Sequence, residues 1–115
     1  MVSAMDHQQL DRRSLELARE IARRLLANPS LIQVARENLS RWQMHPGPGI
    51  ALHRCYLEWT ELLDRLTVPE IAELLQRDDE EGARLRQNSP FVGVLSPEEV
   101  WQITRNFTPE PSHAP

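Results

Sequence analysis

The sequence predicts an all-α domain, an irregular bundle of five or six short-to-medium helices. Apolar residues recur at helical spacing through three long stretches, and Pro or Gly interrupts those stretches where a helix would have to stop. Two starts of the form Ser/Thr-x-x-Glu stand in the second half. Strand-like alternation is nearly absent, because Phe91 to Leu95 is too short and isolated to make a sheet.

In the first helix Leu10, Leu17, Ile21 and Leu25, with Ala18, Ala22 and Leu26 beside them, form the stripe of an amphipathic helix. It should stop near Ala27, where Asn28-Pro29 offers an N-cap followed by Pro at the first position of the next helix. In that second helix Ile32, Ala35, Leu39 and Trp42 repeat at three, four and three, up to the linker-like stretch Met44 to Gly49. The third helix has the cleanest pattern, since Leu52, Cys55, Trp59, Leu62 and Leu66 step by three and four while Tyr56 and Leu63 widen the face. Two heptads are too few for a coiled coil, so this face should be covered by the chain's own core. Thr67 with Glu70 should open a short helix that buries Val68, Ile71, Leu74 and Leu75. Asp78 or Asp79 is placed to cap another through Leu85, and Ser96 with Glu99 to open a last one carrying Val100, Trp101, Ile103 and Thr104. Residues 1–107 thus read as one domain, and 108–115, with three Pro, as a disordered tail.

Composition narrows the function classes. The 115 residues include 13 Arg and no Lys against 17 acids, a formal charge of −4. Residues 1–49 carry seven Arg against five acids, or +2, and residues 50–115 carry six against twelve, or −6. That acidic balance argues against gripping nucleic acid by neutralising phosphates. The single Cys excludes a disulfide scaffold, and no apolar run approaches membrane-spanning length, so a soluble cytoplasmic chain is expected.

No catalytic constellation is legible. His7, His45, His53 and His113 are scattered, and His53 and Cys55, two apart, point to different sides of a helix. The acids from Asp78 to Glu81 lack the alternating oxygens and central Gly of an EF-hand, and no phosphate-binding Gly loop occurs. A non-enzymatic protein with no cofactor and no metal is therefore expected. Thr67 to Leu75 resembles the first helix of a helix-turn-helix, which makes a DNA-binding regulator built on residues 67–88 the alternative reading. Its second helix would meet phosphate with Asp79, Glu80 and Glu81, while Arg84, Arg86 and Gln87 come a turn late. Arg12, Arg13, Arg19, Arg23 and Arg24 of the first helix are interleaved with Glu16 and Glu20, as on an ordinary solvated face.

Glu81 to Val100 follows no period, yet Phe91, Val92, Val94 and Leu95 cluster between Pro and Gly. The segment either folds back as a plug over the third and fourth helices, the expected arrangement, or forms a docking patch.

One family resemblance rests on particular residues: the Asn28-Pro29 break, the helix Ala35-Arg36-Glu37-Asn38-Leu39-Ser40-Arg41-Trp42, Trp59, and the closing run Leu85 to Trp101. Together these resemble a set of small bacterial proteins that look like antitoxin-type partners of nucleotidyltransferase-like toxins. The resemblance implies a protein-binding module that neutralises a toxin by covering a basic nucleotide or RNA site. Here Glu70, Glu73, Asp78, Asp79, Glu80 and Glu81 would stand where phosphates bind, beside Arg84 and Arg86, with Phe91 and Trp101 as apolar anchors. The partner is then a toxin-like protein rather than nucleic acid or membrane, and self-association is left open.

Overall fold

The structure, a computed structural model, describes residues 7–44 and 49–105, with side chains from Leu10 onward. His45 and the tail expected at 108–115 lie outside the described residues. Among the described residues there are six α-helices and no strand: α1 (His7–Ala27), α2 (Ile32–Met44), α3 (Ile50–Arg65), α4 (Val68–Leu75), α5 (Glu80–Arg86) and α6 (Pro97–Thr104). The all-α expectation holds.

α1 is the hub. It packs most extensively on α4, then on α6 and α5, while α2 pairs with α3. Its buried stripe is Leu15, Ala18, Ala22 and Leu25, rotated from the expected one: Leu10 is 44% and Leu26 51% exposed. The small side chains of Ala18 and Ala22 lie within that buried stripe.

The Asn28-Pro29 break is real, but its cap differs from the expectation. Pro29–Leu31 form one turn of 3-10 helix before α2 begins, and the Asn28 side chain caps no backbone N–H. Its Oδ1 instead accepts the Ser30 hydroxyl at 2.6 Å.

Trp59 of α3 lies at the centre of the core, 1% exposed. Its indole N–H donates to the Leu85 carbonyl at 3.1 Å, and Phe91 meets its ring edge-on with centroids 6.1 Å apart. One buried aromatic thus ties α3 to both α5 and the loop that follows it. Trp42 and Tyr56, centroids 5.3 Å apart, close the α2–α3 seam.

Thr67/Glu70 and Ser96/Glu99 form complete capping boxes at the starts of α4 and α6. In the second, the Ser96 N–H donates to Glu99 at 2.8 Å and the Glu99 N–H to the Ser96 hydroxyl at 3.1 Å. Of the two candidates for the α5 cap it is Asp79 that acts, accepting the Gly82 N–H at 2.8 Å.

The loop at residues 87–95 is a plug. Pro90, Phe91 and Leu95 are buried, Val92 is exposed, and Gly93 has φ of 100°, a left-handed conformation that a side chain would strain. Asn38 of α2, itself buried, holds the plug by donating to the carbonyls of Pro90 and Val92, each at 2.8 Å.

α6 is fastened to α1 by Arg24, which pairs with Glu99 and with Glu20. The Arg24 guanidinium, helped by the Ser96 N–H, holds the Glu99 carboxyl at about 2, below its ordinary 4.5. An unfolded chain would take up a proton near 4.5 that folded Glu99 refuses until about 2. The stability Glu99 contributes is therefore complete above 4.5 and lost as pH falls to about 2. Acid titration followed by circular dichroism should show loosening across that window. Glu99→Gln should start less stable and give a shallower acid dependence there; an unchanged slope would place the acid sensitivity elsewhere.

Candidate interaction surface

α4 and α5 are joined by residues 76–79, so the residues singled out in the sequence fall on a short helix-turn-helix. The turn is built locally. Asp79 accepts from the Arg77 guanidinium, at 2.7 Å to Nη2, as well as from the Gly82 N–H, and those two contacts, Arg77 first, lower its pKa. The α4–turn–α5 segment carries Glu70, Glu73, Asp78, Asp79, Glu80 and Glu81, and all six are exposed. Arg77 is the one cation among residues 70–81, so the segment has a formal charge of −5 (six acids against one Arg).

These carboxylates are not equivalent. Glu70 is engaged in its capping box, accepting the Thr67 N–H at 2.8 Å. Glu81 shares Arg84 with Glu58 of α3, whose carboxylate accepts from both terminal nitrogens of Arg84, at 3.0 and 2.8 Å. Hydrogen bonds to Glu58 and then Glu81 hold Arg84 more firmly protonated than a free arginine, and Arg84 in turn lowers the pKa of each carboxylate. Being exposed, these pairs contribute little to stability and mainly fix where the charges stand. Glu73, Asp78 and Glu80 form no ion pair among the described residues. Glu73 also borders an open depression with Leu66, Leu74 and Arg77.

The other residues that the sequence nominated for partner contact separate by burial. Trp101 is 56% exposed on α6, which packs on α1. Phe91 and Arg86, expected beside the partner, are instead inside the fold at 1% and 7% exposure. Phe91 is drawn in by the Trp59 ring, and Arg86 by the carbonyls of Leu75 and Arg77 and by Asp11, 2.9 Å from Nη2. Neither is on the surface to touch a partner. Sequence reasoning missed the supporting residues Glu58, Leu66 and Arg77. The first two lie outside the acidic run, and the sign of Arg77 hid its role in the turn.

His53 is exposed, and half-buried Cys55 accepts from the Asn88 amide at 3.5 Å. Among the described residues no three His, Cys, Asp or Glu side chains converge as metal ligands, and no helix is long and apolar enough to cross a membrane. Compared with family models, curated proteins and solved structures, the chain matches none of them.

Proposed function

We propose that this chain is a non-enzymatic protein-binding module, of the antitoxin-like kind its sequence resembles, which presents the α4–α5 segment to a basic partner. The observation that carries this reading is the exposure of Glu73, Asp78 and Glu80 with no ion pair among the described residues, Glu73 bordering the depression that Leu66 and Leu74 line. Unpaired surface carboxylates lose little on meeting a cationic partner, because no existing ion pair has to break. Such a surface is complementary to a site that ordinarily binds phosphate, which supports occlusion as the mechanism.

A DNA-binding regulator is the second reading, favoured by the helix-turn-helix form of α4 and α5. Against it, α5 opens on Glu80 and Glu81, Arg86 is interior and Arg84 is engaged by two carboxylates.

The test separates the readings. Asp79 is left alone because it caps α5, and Glu73, Asp78 and Glu80 are reversed together to Arg. The helical spectrum should stay intact. Association with the co-expressed product of a neighbouring toxin-like gene should slow at least about tenfold and lose its salt dependence. Wild-type association kinetics in the reversed variant would refute occlusion, and a footprint on its own promoter at physiological salt would favour the regulator.

A further inference from the structure

The face of α3 that points away from the core carries a pattern of its own, independent of the acidic surface. At about 100° per residue, Ile50, Arg54, Leu57 and Glu61 fall within roughly 60° of one another, on the side opposite Trp59 and Leu63. Ile50 is 76% and Leu57 48% exposed, and Arg54 and Glu61 are exposed as well. The neighbouring helices flank this strip. α2 reaches α3 through Thr60 and Asp64 on one side, and α5 reaches it through Glu58 on the other.

The charges on the strip differ from those on the other helices. On α1 and α5, opposite charges stand three or four residues apart and close on one another, Glu16 with Arg19, Glu20 with Arg24 and Glu81 with Arg84. Arg54 and Glu61 stand seven apart, about 10 Å along the helix, beyond the spacing at which pairs form within one helix. Neither forms an ion pair among the described residues. Ile50 and Leu57 share that spacing of seven. Two interleaved pairs at this interval, one apolar and one of opposite charge, have the form of a seam between two helices.

The symmetry of the pattern selects the occupant. When a second α3 is laid antiparallel about a two-fold axis beside Leu57, Arg54 of each copy faces Glu61 of the other and Leu57 meets Leu57. A parallel second copy would set Arg54 against Arg54 and Glu61 against Glu61, which costs energy twice. We infer that the chain associates with a second copy of itself through the outer face of α3, with two Arg54–Glu61 ion pairs around a Leu57 centre and Ile50 at either end. The charges choose the direction of the pairing, and the apolar side chains supply the burial. A contact between two helix faces is small for a protein interface, so the dimer is weak, with a dissociation constant on the order of 10–100 μM.

Sedimentation equilibrium of the full chain, carried up to about 1 mM, tests this, with circular dichroism to verify that each variant keeps its helices. Arg54→Glu and Glu61→Arg should each raise the dissociation constant about tenfold, because each sets like charges opposite one another. The double exchange should bring it back to within about threefold of wild type. Leu57→Asp should leave only monomer. All three positions face solvent, so the fold tolerates these changes. A wild-type chain that stays monomeric at the highest concentration overturns the proposal, and so does a dimer indifferent to Leu57→Asp. Single variants that weaken association without recovery in the double exchange overturn the antiparallel pairing. None of these residues belongs to the α4–α5 segment, so failure here leaves the proposed function standing.

Discussion

Trp59→Ala is expected to destabilise the protein by about 3–5 kcal/mol, a large share of the stability of a domain this size. The side chain is 1% exposed, and its loss opens a cavity between α3, α5 and the plug. Urea denaturation followed by circular dichroism measures it. Trp59→Phe separates the two contributions: a ring remains for Phe91, but the Leu85 carbonyl loses the indole donor while keeping the Asn88 N–H at 3.3 Å, for about 0.5–1.5 kcal/mol. An alanine variant within about 1 kcal/mol of wild type would mean that the core does not close on this residue.

The second large effect has a sign opposite to the usual one. Replacing a helical Gly by Ala ordinarily stabilises by up to about 1 kcal/mol. At Gly82 in α5, however, an added Cβ would lie 2.2 Å from the Arg77 carbonyl oxygen and 2.7 Å from the Arg77 Cβ. The first of these is backbone, so the turn itself has to move. That carbonyl also accepts from Arg86, so moving it disturbs the interior guanidinium that joins α5 to the end of α4. Gly82→Ala should therefore lower stability by about 2–3 kcal/mol and the melting temperature by roughly 10 °C. A melting temperature at or above wild type would show that the close approach of residues 77 and 82 is not maintained in solution.

Gly82 also illustrates where sequence reading ends. Helix positions were legible because period and caps are local: Thr67 with Glu70, Ser96 with Glu99, and Asp79 before α5 each satisfy N–H groups within three residues. What was not legible depends on partners far along the chain. Leu15 takes the place of Leu10 and Leu26 in the buried stripe of α1, a rotation that depends on α4, α5 and α6, which pack on that helix from far along the chain. Asn38 reads as an ordinary helix-surface amide until the carbonyls of Pro90 and Val92 are brought to it. For the interaction surface, the acidic run was visible as composition, but the division between engaged Asp79 and Glu81 and unengaged Asp78 and Glu80 needed Arg77 and Arg84 in place. Arg86 was misplaced for the same reason, because an arginine in a short helix reads as a surface residue unless the carbonyls that receive it are known. Phe91 was expected inside as part of the plug and outside only as an anchor of the interface, and its burial agrees with the plug.

α1 is synthesised first, yet its partners are α4, α5 and α6, and its two polar ties, Asp11 to Arg86 and Arg24 to Glu99, each span 75 residues. A nascent chain ending at Arg65 has the α2–α3 pair complete but leaves the Leu15–Leu25 stripe uncovered. Loop-closure entropy is met before those contacts can form, so α1 reaches its native packing only once α6 has left the ribosome. Until then the apolar side of α1 is open to chaperones and to other nascent chains, and a premature stop before α6 yields a protein whose first helix has lost its clasp.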